Sequence, residues 1–159
     1  MRGALLAAAA MTLSACAEVT PPSAACESPA ELAVTLTSGA LLNPDESGSP
    51  LPTEVRVHQV RDAAPFDNVP FDDAWAMSDA ISGAVITTQT TTLYPGEMAT
   101  VALTPNPEAI ALVGMAVVRR PAGRTWRVIV PLDALPCGQH VRVALRVDEY
   151  RIERSEEVE

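Results

Sequence analysis

The sequence predicts a mainly β protein, a two-sheet sandwich of about seven strands with one short helical insert. Three observations predict it. Apolar residues alternate with polar ones over short runs. Prolines and glycines punctuate the gaps between the runs. One segment, residues 66–80, drops this period for aromatic residues near helical spacing. Period-two alternation marks strands with one buried face, and many short strands separated by turn residues fold as a sandwich.

The strands are justified in order. Residues 31–38 alternate Leu32, Val34 and Leu36 with other residues. Residues 53–60 alternate Val55, Val57 and Gln59 with Glu54, Arg56 and His58, so His58 is expected to face solvent. Residues 85–92 are rich in β-branched side chains, which suit a pleated surface. Residues 98–104, 112–120 and 124–132 follow. Residues 139–152 hold the clearest alternation, Val141, Val143, Leu145 and Val147 against Arg142, Ala144, Arg146 and Asp148. Turn-forming residues separate these runs at 43–52, 94–97, 105–107 and 121–123. In residues 66–80, Phe71 and Trp75 lie at helical spacing after Pro70. Asp72 and Asp73 fall in the first turn, where carboxylates favour the helix dipole. This predicts one short helix between the second and third strands, its aromatics plugging one end of the sandwich. Residues 30–152 form the sandwich domain, and residues 153–159 a charged tail.

The first residues have a different character. Arg2 precedes an uncharged, mostly apolar stretch that runs to Ala15, the pattern of a secretory signal. The stretch is shorter than the about 20 residues that span a bilayer. It ends in Leu13-Ser14-Ala15-Cys16, similar to a bacterial lipobox, in which small residues lie extended in a peptidase and the thiol takes a diacylglycerol. Residues 1–15 are therefore expected to be a signal peptide, and Cys16 the lipid-bearing first residue of the mature chain. Two or more acyl chains would hold it stably to a lipid membrane. Ala17 follows, not aspartate, which by the enterobacterial sorting rule points to the outer membrane. Residues 16–29, rich in Ala, Ser and Pro, read as a lipidated tether; its thirteen residues beyond Cys16 reach about 45 Å at most.

The formal net charge is −9 and lysine is absent. An acidic domain without a basic stripe argues against nucleic acid and against electrostatic docking to membranes. Besides Cys16, only Cys26 and Cys137 remain, one near each end of the domain. An exported compartment permits a bridge between them; the alternative is two unpaired thiols. No nucleophile elbow, phosphate loop or His-Glu-x-x-His pattern occurs, and Asp67, Asp72, Asp73 and Asp79 lack the rhythm of a calcium loop. The sequence implies no enzyme, no metal, no cofactor and no small-molecule substrate.

Several residues are shared in order with a known family: Leu42-Asn43-Pro44, a polar loop, Pro52, the run from Val55 to Val60, Phe66, Phe71, Tyr94-Pro95-Gly96-Glu97, the run from Leu112 to Arg119, and Trp126-Arg127. Over residues 31–132 the chain resembles the TssJ (SciN-type) lipoproteins of the type VI secretion system. His58 stands where that family more often has tyrosine, and Val60 where it has leucine. The resemblance implies a transthyretin-like, Ig-like sandwich with a helical insert and a non-enzymatic role on the periplasmic face of the outer membrane. It also implies a partner, the periplasmic domain of the inner-membrane protein TssM, contacted mainly by the loop between the first two strands, here residues 42–52.

Strand geometry points to the same region. If successive strands run alternately up and down, the loops after the first, third and fifth strands emerge together. The expected contact residues are Asn43, Pro44, Asp45, Glu46, Ser47, Gly48 and Ser49 of the first loop, Pro95 and Gly96 of the second, and Ala122 and Gly123 of the third. The rival expectation is a lipoprotein binding a small ligand or glycan on an Ig-like sandwich, which requires aromatic residues exposed on a sheet face.

Overall fold

The computed structural model describes residues 31–133, 135 and 140–155. Its strands are β1 (Glu31–Ser38), β2 (Thr53–Val60), β3 (Val85–Leu93), β4 (Met98–Leu103), β5 (Ala111–Ala116), β6 (Arg127–Pro131), β7 (His140–Asp148) and β8 (Arg151–Arg154). Three short helices lie between β2 and β3: α1 (Pro65–Asn68), α2 (Phe71–Trp75) and α3 (Asp79–Ser82). The strands form two four-stranded sheets, β4-β1-β7-β8 and β3-β2-β5-β6. The mainly β, two-sheet class expected from the alternation is what the chain adopts.

Eight strands replace the expected seven because the last run splits. Glu149 takes a positive φ of 47° and turns the chain, so that Ile152 pairs back on Val147. The split leaves a trace in the sequence: Ile152 is out of phase with Val141, Val143, Leu145 and Val147. The single expected helix is three short ones. Val69 is extended before Pro70, as the proline ring demands, and Met77 reverses to a φ of 53°.

The core lies between the sheets. Leu32, Val34 and Leu36 of β1 and the four alternating apolar residues of β7 face Val55 and Val57 of β2 and Leu112 of β5, all of them buried. At Gly114 the sheets approach so closely that a Cβ would sit 2.9 Å from Leu145 Cδ1 and 3.1 Å from Val128 Cγ1. That contact fixes which face of β5 looks inward.

The helices do not plug an end. They lie on the outer face of the second sheet. Phe66 packs on His58 with ring centroids 6.1 Å apart, Trp75 lies over Arg56, and Phe71 meets Trp126 edge-on at 5.3 Å. With the first sheet packed on the other face, this cover leaves every residue of β5 buried and overturns the expectation for His58, which is fully buried.

Candidate functional site: the loop end

Strand directions gather four connections at one end of the sandwich. β1 ends at Ser38, where the 39–52 loop begins. β4 runs antiparallel to β1 with Met98 opposite Thr37, so the β3–β4 turn lies beside that loop. β5 ends at Ala116 opposite Val55, near the start of β2, so the β5–β6 loop joins them. β7 runs parallel to β1 with Val147 opposite Ser38, which adds the β7–β8 turn. The expected trio of loops thus converges, and the fourth connection is one that sequence reading missed because it took β7 and β8 as a single strand.

The long first loop is ordered by its own polar groups. Asn43 is buried, with a φ of 44°. Its amide donates to Val117 O at 3.3 Å, its Oδ1 accepts from Arg119 N at 2.8 Å, and its backbone N–H donates to Glu149 O at 2.7 Å. One side chain therefore ties the first loop to the β5–β6 loop, and its backbone ties it to the β7–β8 turn. Tyr150 adds a hydrogen bond from its hydroxyl to Pro44 O at 2.9 Å.

The exposed tip is preorganised as well. Asp45 Oδ1 accepts from Ser47 N, Ser47 Oγ and Ser49 N at 2.7–2.9 Å. The Ser47 hydroxyl and these amides hold the Asp45 carboxyl below its ordinary range, so the loop tip stays anionic. Gly48 closes the turn at a φ of 84°, and Arg119 lies 3.9 Å from Glu46.

The β3–β4 turn docks onto the start of the same loop. Ser38 Oγ donates to Tyr94 O at 2.6 Å, and Gly96 N donates to Gly39 O at 3.3 Å. Gly39 has no room for a Cβ, which would collide with the Asp148 carboxylate. Gly96 and Gly123 take φ values of 74° and 51°, the left-handed turn conformations their positions require. Of the expected contact residues, Glu46–Ser49, Gly96, Ala122 and Gly123 are open to solvent, Pro44, Asp45 and Pro95 are half-buried, and Asn43 is buried and acts by holding the loop.

Among the described residues no side chains are arranged as a catalytic centre. His58 is neutral, its pKa lowered to about 4 by burial first and by the Arg56 charge second, and its Nδ1 meets only the Thr88 hydroxyl at 2.8 Å. Arg127 is buried beneath the helical cover, donating to Val69 O at 2.9 Å and Asp67 O at 2.7 Å; burial lowers its pKa from the ordinary guanidinium value. Among the described residues no cluster of His, Cys, Asp or Glu is arranged to hold a metal, and no helix is long and apolar enough to cross a membrane. The open face of the first sheet carries Ala33, Thr35, Ala102, Ala144 and Arg142, without the aromatic residues the glycan-binding rival requires. Cys16, Cys26 and Cys137 lie outside the described residues.

Residues 30–149 match the T6SS-SciN family, described as "Type VI secretion lipoprotein, VasD, EvfM, TssJ, VC_A0113". No curated protein matches the sequence. Among solved structures, the chain is similar to the type VI lipoprotein TssJ1 from Pseudomonas aeruginosa, with 18% identity and a TM-score of 0.71 over 82% of this chain and 98% of that one. It is similar to a chain of a structure described as a type VI membrane complex, with 21% identity and a TM-score of 0.73 over 79% and 98%. It is likewise similar to a chain of a structure described as the TssM C-terminal domain (869–1107) from EAEC, with 20% identity and a TM-score of 0.70 over 80% and 98%. At these identities the likenesses establish the shared sandwich.

Proposed function

The chain belongs to the type VI secretion lipoprotein family, and on that footing we propose that it is an outer-membrane-anchored scaffold of the secretion membrane complex which holds the periplasmic domain of a TssM-type inner-membrane protein through its loop end. Membership makes it a structural lipoprotein of a secretion system, not an enzyme. In the proposal, cleavage after residue 15 leaves Cys16 acylated, residues 16–29 form the tether, and the sandwich hangs in the periplasm.

One observation carries the reading. β1 starts at Glu31, and the four loops gather at the other end of that strand. Eight residues of strand separate the two ends by about 26 Å. A protein tethered at one end and presenting ordered loops at the other is built to reach away from its membrane. The exposed loops around Asp45, Gly96 and Gly123 then form the contact edge, with Asp45 and Glu46 steering a basic surface toward it.

Two experiments test the proposal. Replacing residues 43–49 with Asn-Gly should leave the sandwich folded and weaken capture of the TssM-type periplasmic domain in calorimetry with the two soluble domains. Undiminished binding by the folded deletion variant removes this loop from the interface. Cys16→Ser should abolish incorporation of a palmitate analogue and release the protein from the membrane fraction. Equal label in both proteins refutes acylation at Cys16.

A further inference from the structure

We infer that the loop end carries an apolar anchor site formed by Leu41, Tyr94 and Met98, which takes apolar side chains of a protein partner whose surrounding surface is basic. The inference rests on the reading above and adds to it the residues that supply affinity, none of which lies in the polar 43–49 segment.

Four large hydrophobic side chains stand exposed among the described residues: Leu41 at 54%, Tyr94 at 50%, Met98 at 69% and Ile110 at 55%. Ile110 lies at the tether end, where its backbone N–H donates to Val60 O at 2.8 Å. The other three converge at the loop end. Met98 pairs with Thr37 across the β1–β4 ladder, Tyr94 O receives the Ser38 hydroxyl, and Gly39 O receives Gly96 N two residues before Leu41. Two segments distant in sequence, the first loop and the β3–β4 turn, thus bring three exposed apolar residues to one corner. Single exposed hydrophobics are ordinary on any surface, but an apolar group rimmed by polar residues marks a contact site.

Folding does not require these side chains. The Tyr94 hydroxyl makes no hydrogen bond among the described residues, and Met98 opens an edge strand with its side chain in water. A serine at either position would satisfy the same backbone.

The rim identifies the occupant. Glu97 beside Met98 is exposed and in no ion pair among the described residues. An anionic lipid surface would be repelled, and the tether enters at the far end. A second copy would set the same carboxylates against each other. A partner protein with apolar residues among lysines and arginines fits both the corner and its edge.

The test uses the triple variant Leu41→Ser, Tyr94→Ser, Met98→Ser, with Ile110→Ser as the control at the opposite end, each titrated with the TssM-type periplasmic domain. The triple variant should bind about thirtyfold more weakly while the control matches wild type. Methyl-labelled wild type should show Leu41 and Met98 signals shifting on binding, which keeps the test decisive if the triple variant folds poorly. Wild-type-like affinity of the folded triple variant, or unmoved Leu41 and Met98 methyls in a bound wild type, overturns the anchor site and leaves the loop-end reading intact. Failure of wild type to bind at all overturns both.

Discussion

The two sheets solve the same problem differently. β7 in the first sheet buries one face and wets the other, and its sequence alternates accordingly from Val141 to Val147. β5 in the second sheet is buried along its whole length, and its sequence, Ala-Leu-Val-Gly-Met-Ala, has no alternation. The difference is the helical cover. Phe66, Ala74 and Ile81 close over the outer face of the second sheet, while the outer face of the first carries alanines, threonines and arginines in water. A continuous apolar run in an antiparallel strand therefore reports a second packed layer, not merely a hydrophobic strand.

Among the described residues no such layer covers the first sheet, and a covalent staple between Cys26 and Cys137 would compensate for it. Both cysteines lie outside the described residues, but the strands they precede are neighbours: β1 and β7 run parallel with Glu31 opposite His140. A bridge would close a loop of roughly 110 residues, a chain-entropy effect of about 4–5 kcal/mol. Cys137→Ser should lower stability by that order in denaturant titration. Two free thiols titrated in the native oxidised protein reject the bridge, and with it the idea that the open sheet is stapled.

The cover itself can be removed. Phe66 is fully buried above His58, and Phe66→Ala should cost about 3–5 kcal/mol, the usual penalty for emptying an aromatic site. Ala102→Ser on the open face of the first sheet should stay within about 0.5 kcal/mol. A Phe66→Ala loss no greater than that of Ala102→Ser would mean the helices rest on the sheet without stabilising it.

What the sequence disclosed follows the same division. Strands with one wet face, such as β1 and β7, were legible from their period. So was the helix start after Pro70, where α2 begins at Phe71. His58 was misread because alternation says only that Glu54, Arg56 and His58 share a face; it cannot say that Phe66, some distance along the chain, folds over that face. The convergence of the loops was legible from strand direction. The exposure of Leu41, Tyr94 and Met98 was not, since each sits in a segment whose burial depends on tertiary contacts.

His58 sharpens the comparison through pH. Burial under the helices first, and the Arg56 charge second, lower its pKa from 6.5 to about 4. Between these values the unfolded chain binds a proton that the folded chain does not. The contribution is therefore full above pH 6.5 and is lost as pH falls toward 4, by about 3 kcal/mol. His58→Gln, which can still meet the Thr88 hydroxyl, should remove much of the decline between pH 7 and pH 4.5. Parallel pH profiles for variant and wild type would show that His58 is not the group responsible.

Asn43 joins the two sheets where neither cover nor staple acts. Its backbone N–H bonds to Glu149 O in the turn that ends the first sheet, and its side chain bonds to Val117 O and Arg119 N beyond β5 of the second. The residue is buried, so losing its amide leaves a carbonyl and an N–H without their partner, a cost of about 1–3 kcal/mol. Asparagine also tolerates the positive φ found here better than most residues. Asn43→Ala should therefore lower the thermal midpoint modestly and speed amide exchange at Arg119 more than at Val143, which lies in the middle of β7. Asn43→Asp should restore the bond from Arg119 N but not the one to Val117 O, and fall between the two. If exchange at Arg119 is unchanged in Asn43→Ala, the first loop is held by its backbone bond to Glu149 O, by Tyr150 and by its serines, and the loop end is two independent clusters instead of one edge.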